Sequence, residues 1–382
     1  MFSRLYIHIP FCRQKCPYCA FFSQEHSIDS LNRYAGLLCR EMALVADKTA
    51  GRPPLDSIYF GGGTPSLLDD RQISRLIGLA DQTFGLAAQI EITLEANPGT
   101  VDDPTLAGFR RAGVNRLSLG IQSFDDRMLT TLGRIHTAQE GREAFFAARR
   151  AGFDNIAIDL INSLPEQTAG LWRNDLEQAL LLAPEHLSVY GLTIEADTRF
   201  AAQYTENSPL LPDEDLAAEM FEAADDQLCS RGYEHYEIAN YARPGCRSSH
   251  NSGYWHRDGY LGLGAGAHSF LRDAGCGRRF SNVADLAAYS CALDKGHLPR
   301  TGITQLSRED AMAEHMFLGL RMSDGVACEH FEREFGIPIM AVYGMQIELL
   351  HSQQLLTVDS ASLRLTRRGM LLSNQVFQRF LP

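Results

Sequence analysis

The chain has 382 residues, enough for one large domain with a smaller companion or for two ordinary domains. With 45% hydrophobic and 21% charged residues it is composed like a soluble globular protein, and no apolar run approaches the roughly 18 residues of a membrane helix. A net charge of -12 argues against a general nucleic-acid binder, because phosphate contacts need a basic face.

Taken in order, an apolar run at Tyr6-Ile-His-Ile-Pro10 reads as a first strand. Ahead of it stands one Arg and no long apolar core, so no signal peptide is expected. A cysteine-bearing loop follows. Ile28 to Asp47 then carries Leu31, Tyr34, Leu38, Met42 and Val45 at helical spacing, and Gly51-Arg-Pro-Pro54 breaks it. Ser57–Phe60 reads as a buried strand running into Gly61-Gly-Gly-Thr-Pro65. Further strands are expected at Glu91–Glu95, Arg116–Gly120, Asn155–Leu160 and His186–Tyr190. Helices are expected between them at Arg71–Thr83, Pro104–Ala112, Asp125–Leu132, Ala138–Ala151 and Ala169–Leu182.

Six strands alternating with helices predict an α/β fold, an incomplete (β/α)6 barrel of TIM type with its chemistry at the C-terminal strand ends. A doubly wound open sheet has the same alternation and stays open as an alternative. Beyond it, Asp213–Arg231 reads as a helix, Pro244–His250 as a loop and Asn251–Trp255 as a compact turn. Tyr260–Ser269, with Gly at alternate positions, reads as backbone in close approach to the barrel. From Arg308 the pattern becomes helical (Arg308–Arg321, Cys328–Phe335, Ile339–Gln353). Two short strands (Leu355–Val358, Leu363–Thr366) and a last helix complete a winged-helix-like domain. The expected division is 1–230 for the barrel, 231–300 for a linking region packed on it and 301–382 for the C-terminal domain.

Cys12, Cys16 and Cys19 stand at C-x3-C-x2-C spacing directly after the first strand. Three close thiols suit a metal. A structural zinc ion needs four ligands, so zinc would require completion by His8 or His26. A [4Fe-4S] cluster held by three cysteines leaves one iron open to the amine and carboxylate of a small molecule, a geometry able to deliver an electron into a sulfonium. The other six cysteines are scattered without a second CxxC, which fits a reducing cytoplasm. Glu95, Gln122, Asp159 and the Gly61–Pro65 turn also fall at strand ends, giving one polar rim. Each alone reads as a cap or turn; together they are costly to bury without a ligand.

The cysteine loop resembles the radical S-adenosylmethionine (SAM) superfamily. The whole chain resembles its oxygen-independent coproporphyrinogen oxidase-like branch, through Tyr6–Pro10, Gly61–Pro65, Glu95-Ala-Asn-Pro-Gly99 and Arg116-Leu-Ser-Leu-Gly-Ile-Gln-Ser-Phe124. The likeness continues in Leu132-Gly-Arg-Ile-His136, Asp159-Leu160, Leu164-Pro165, Tyr241–Gly245, His250-Asn-x-x-Tyr-Trp255 and Phe317-Leu-Gly-Leu-Arg321. The resemblance implies a cluster on Cys12, Cys16 and Cys19. It implies a SAM site lined by Tyr6, Tyr18, Gly62, Gly63, Thr64, Glu95, Gln122, Arg134 and Asp159.

Phe21 stands where the decarboxylating enzymes of the branch have a fourth cysteine, and the His250–Trp255 motif marks its heme-chaperone subgroup. That subgroup implies heme as cargo, acceptor hemoproteins of the respiratory chain as partners and cytoplasmic residence with peripheral membrane contact. A homodimer is among the expected states. Imidazole is a common heme ligand, so His250 is the expected axial ligand, with Asn251, Tyr254 and Trp255 beside it and His235, His256, His268 and Cys246 as competitors. Asn162-Ser163 departs from the branch, which carries an aromatic or His followed by Gly, and is expected to alter packing rather than chemistry.

Overall fold

The computed structural model describes residues 1–46, 52–205, 208–272 and 275–382; Asp47 and Gly51, at the end of the first expected helix, lie outside them. Six parallel strands form its centre: β1 (Arg4–Ile9), β2 (Leu55–Gly62), β3 (Leu86–Ala96), β4 (Arg116–Gln122), β5 (Ile156–Asn162) and β6 (His186–Gly191). Each pairs with the next in chain order, without reversal. A doubly wound sheet reverses its order at a switch point, so this order decides for the barrel-type winding.

The sheet extends past both ends of the expected six. Antiparallel β7 (Glu234–Glu237) and β8 (Asn240–Ala242) follow β6. Beside β1 lies parallel β9 (Tyr260–Leu263), then antiparallel β10 (His268–Leu271), β11 (Arg278–Asn282) and β12 (Arg300–Gln305). Among the described residues β7 and β12 are the two ends of the strand order and do not pair with each other, and β7 carries a single antiparallel bridge from Glu237 to Met322. The Gly-rich run is therefore itself partly strand. A Cβ on Gly262 would lie 2.1 Å from the His268 carbonyl oxygen, so only glycine admits the hairpin there.

The helices form where the apolar spacing predicts, and their starts are fixed by side chains. Asp69 caps α2 (Asp70–Phe84), Asp102 caps α3 (Asp103–Ala112), Thr137 caps α5 (Ala138–Arg150) and Thr168 caps α6 (Ala169–Leu182), each accepting from a first-turn N–H. With α1 (Ile28–Ala46) they cover the outer face; α4 (Asp126–Thr131) follows β4, α7 (Arg199–Gln203) and α8 (Glu214–Ser230) follow β6, and α10 (Leu286–Asp294) packs on α1. The buried layer beneath is aliphatic and aromatic, including Leu38, Ile58, Leu76, Phe109, Leu119, Ile158 and Leu176.

One expected loop is a helix. α9 (Ser249–Trp255) begins inside the Pro244–His250 stretch, with Ser248 as its cap. The N–H groups of Ser249 and His250 donate to the Glu91 carboxylate, each at 2.9 Å. Glu91, Ser57 and Arg4 occupy the early, N-terminal parts of β3, β2 and β1, so α9 seals that end of the sheet. Gly253 is required: a Cβ there would fall 1.6 Å from Arg4 Nε.

The C-terminal part has its own core, with Met316, Phe331, Ile347, Leu363 and Phe380 among its members. It is built from α11 (Arg308–Gly319), α12 (Cys328–Phe335), α13 (Ile339–Ser352) and a three-stranded sheet. Two of the strands, Leu356–Val358 and Ser362–Leu365, are the expected hairpin; Val326–Ala327 adds a third. The part is tied to the barrel by charge: Arg257, 3% exposed, reaches Glu314 at 3.2 Å and Glu334 at 2.9 Å. Arg321 pairs with buried Glu237 at 2.7 Å and lies 4.3 Å over the Trp255 ring. Among the described residues no helix is long and apolar enough to cross a membrane.

Candidate functional site

A cavity of about 540 Å³ opens at the C-terminal ends of β1–β6. Its wall contains Cys12, Cys16, Tyr18 and Cys19 from the loop after β1, and Gly62, Gly63 and Thr64 from the turn after β2. Glu95 of β3, Gln122 of β4, Arg134 beyond it and Asp159 of β5 complete the set. The structure therefore brings together eleven of the twelve expected cluster and SAM residues. Tyr6 is the exception. It lies behind the wall, stacked on Tyr59 with centroids 6.2 Å apart, and its hydroxyl meets His8 Nδ1 at 2.9 Å.

The turn after β2 brings backbone, not side chain, to the cysteines. A Cβ on Gly63 would lie 2.6 Å from the Phe11 carbonyl oxygen and 3.0 Å from Cys12 Sγ, and Gly62 has φ 113°. The Tyr59 hydroxyl donates to Glu95 Oε1 at 2.8 Å, and the Gly62 N–H to Oε2 at 3.2 Å. Burial nevertheless pushes the Glu95 carboxyl up to about 7, with the Asp159 charge adding to it. Asp159 is likewise raised by burial, against hydroxyl bonds from Ser188 and Ser118. Arg134 Nη2 donates to the Gly120 carbonyl at 2.6 Å, Nη1 stands 3.8 Å from Cys16 Sγ, and Nε has no partner.

Gln122 holds φ 71°, a left-handed conformation unusual for a side-chain-bearing residue. The next two residues are pinned from outside the cavity: Asp175 of α6 accepts from Ser123 Oγ at 2.8 Å and from the Phe124 N–H at 2.6 Å. Sequence reasoning missed Asp175, and also the wall residues Arg116, Ser118, Ser188 and Tyr190. For the wall residues a signal existed: Arg116, Ser118, Gly120 and Gln122 alternate along β4, and residues two apart share a face.

Of the two histidines that could complete a zinc site, His26 has its Nδ1 3.3 Å from the Cys12 carbonyl oxygen, and His8 is taken. Both ring nitrogens of His8 are engaged, by the Tyr6 hydroxyl at 2.9 Å and the Phe22 carbonyl at 3.1 Å. Among the described residues no three Cys, His, Asp or Glu side chains converge as the ligands of one ion. The thiols do sense one another: burial raises Cys19, and Cys16 and Cys12 add to that rise.

The expected heme residues separate. Asn251 faces the cavity from below, but His250 is fully buried. Its Nδ1 meets Ser57 Oγ at 2.8 Å and its Nε2 the Tyr254 hydroxyl at 2.8 Å. Either tautomer thus has its lone pair taken, and as placed the ring offers iron no nitrogen. Tyr254 and Trp255 pack beneath the sheet rather than facing the cavity. The physical reason is α9 itself, which directs this motif into the barrel floor. Among the competitors, His235 is held by Asp225 and the Ile238 carbonyl, and Cys246 is half-buried, while His256 and His268 are exposed.

Barrel winding, strand-end chemistry and the three-cysteine loop define a class, and comparison names it: residues 6–179 match the Radical SAM superfamily and residues 306–372 the HemN C-terminal domain. The chain is 37% identical over 376 residues to the heme chaperone HemW of Lactococcus lactis, across 98% of this chain and 96% of that one. The Bacillus subtilis heme chaperone HemW is 35% identical over 380 residues, 98% of each chain. The solved coproporphyrinogen III oxidase HemN of Escherichia coli, described as a radical SAM enzyme, superposes with a TM-score of 0.84. It is 25% identical, across 99% of this chain and 90% of that one. The chain belongs to the HemW family of radical SAM proteins.

Membership implies a [4Fe-4S] cluster and SAM. The cavity suits both. Cys12, Cys16 and Cys19 are free thiols on one loop of the cavity wall, which suits the cysteine side of a cluster. Gly62 and Gly63 leave room for His8 and the Phe11 backbone, so the turn comes to the cavity wall without side chains. Glu95 and Asp159 put acceptor oxygens on the cavity wall, and Arg134 supplies a cation that suits a carboxylate.

Proposed function

We propose that this chain is a heme chaperone: it holds a [4Fe-4S] cluster and SAM, binds heme and passes it to acceptor hemoproteins of the respiratory chain. In this reading it works in the cytoplasm with peripheral contact to the membrane. The observation that carries the reading is the end-to-end likeness to heme chaperones HemW, which takes in the cavity rim. At that rim Phe21, 66% exposed, stands where the decarboxylating enzymes have a further cysteine.

Within the cavity the roles proposed are those that the family resemblance implies and the chemistry of each group suits. Cys12, Cys16 and Cys19 would hold the cluster, which when bound supplies a one-electron reductant beside the sulfonium. Gly62 and Gly63 admit the methionyl end of SAM, Glu95 accepts from its ammonium and Arg134 pairs with its carboxylate. Gln122 and Asp159 offer groups to ribose hydroxyls. With His250 engaged in the floor, the exposed imidazoles His256 and His268 are the candidates for heme iron.

The test is a paired assay on anaerobically reconstituted protein, titrating heme by its Soret band and following coproporphyrinogen III with SAM and a reductant. Heme binding without porphyrinogen turnover is expected. Turnover would overturn the reading in favour of the dehydrogenase activity suggested by the likeness to HemN. Cys19→Ala should lose the four-iron complement in iron analysis; a full complement would refute the cluster assignment.

A further inference from the structure

The inner wall of the cavity holds a cation that has no direct partner among the described residues. Arg116 is 2% exposed and lines the cavity. Among the described residues its guanidinium makes no ion pair and no hydrogen bond, and Nε and Nη1 are enclosed without a partner. Its strand neighbour Thr93, in register on β3, also has a buried hydroxyl without a partner.

The carboxylates nearby are committed elsewhere. Glu95 takes Tyr59 and Gly62, Asp159 takes Ser118, Glu91 takes the N–H groups of α9, and Glu237 takes Arg321. A buried cation is costly unless paired and hydrogen-bonded. The remaining wall offers the Ser188 and Tyr190 hydroxyls and the Asn251 amide, which rises from the helix that seals the floor.

We infer that Arg116 is the inner end of a subsite for an alkyl carboxylate that enters from the cavity mouth. A planar guanidinium matches a carboxylate through paired N–H donors. One cation beside the Glu95 and Asp159 carboxyls suits a monoanion and disfavours a phosphate dianion. The carboxylate has two sources, a small free acid or a propionate arm of a tetrapyrrole; the second rests on the heme-chaperone reading.

The experiment uses reconstituted full-length protein and two probes. In the first arm, 13C-carboxyl propionate is added to wild type, Arg116→Lys and Arg116→Gln, and its resonance is followed. Broadening by wild type, reversed by formate and weakened at least about tenfold in Arg116→Gln, supports the subsite with a free acid as source. In the second arm, heme and heme dimethyl ester are titrated by the Soret band. Heme binding about tenfold tighter than its ester in wild type, with the gap closing in Arg116→Gln, supports the subsite with the propionate arm as source.

If neither probe senses Arg116, the inference is overturned and the guanidinium is solvated by water alone. Should Arg116→Gln fail to fold, formate competition and the heme-to-ester ratio in wild type still decide. Absence of any heme binding would refute the chaperone reading and leave the free-acid probe to decide the inference by itself.

Discussion

Glu95 shows how one side chain couples the cavity to pH. Its carboxyl is raised to about 7 in the fold, against an ordinary value of 4.5, chiefly by burial. A raised acid favours folding fully below its ordinary value, and that contribution is lost as pH rises through about 7. The apo protein should therefore lose thermal stability as pH rises through that window, and Glu95→Gln should flatten the profile in a melting series. SAM should oppose the loss, since the ionised carboxylate would accept from its ammonium. Glu95 was legible in the sequence because it ends a strand. Arg116 and Ser118 carried a signal in sharing a strand face with Gln122, but it went unread, because a polar residue inside a short strand reads equally as solvent-facing until the winding shows which face turns inward.

At the scale of elements, the strand–helix alternation gave six strands and their helices, and most ends agree within two residues. What it could not give was the second half of the sheet. β7 to β12 are three to six residues long, too short for a local period to mark them, and they join the six through two distant pairings, β8 with β6 and β9 with β1. The turn after β5 was flagged by its departure from the branch, and the backbone shows why: Ser163 has φ 58°, where Gly is at ease. Ser163→Gly should stabilise the protein by up to about 1 kcal/mol in chemical denaturation, with SAM affinity unchanged.

The family resemblance made His250–Trp255 a heme motif, where an imidazole near aromatics reads locally as a hydrogen-bonded, buried segment just as well. In the structure it belongs to α9. His250→Ala would strip hydrogen bonds from Ser57 and Tyr254 inside the floor, at a cost of about 3 kcal/mol. Heme titration of the folded fraction should be unchanged; a selective loss of heme affinity would restore His250 as ligand.

In the whole molecule, the junction between barrel and C-terminal part is an acid-sensitive seam. Burial opposes ionisation of Glu334, but His315, Arg272 and Arg257 override it and hold the carboxyl down at about 2. A depressed acid contributes stability above its ordinary value of 4.5, and loses it as pH falls through about 2. Trp255 fluorescence, in a Trp172→Phe background, should report the seam loosening across that acid range. Glu334→Gln should loosen it already at neutral pH. The C-terminal domain's composition was legible as helices with a hairpin. Its docking was not, since Arg257, Glu314 and Glu334 are far apart in sequence and each alone reads as a solvated charge.

The position of α9 also fixes an order of events during synthesis. β1 is flanked by β2 on one side and β9 on the other, and Gly253 closes over Arg4. A nascent chain that has emerged only as far as β6 has all its rim residues but neither this floor helix nor the far neighbour of its first strand. Contacts spanning some 250 residues are slow to form, because loop closure precedes any gain from pairing. The cofactor pocket should thus mature late, after the ribosome has delivered most of the polypeptide, and cluster insertion becomes a post-barrel event rather than a nucleus for folding.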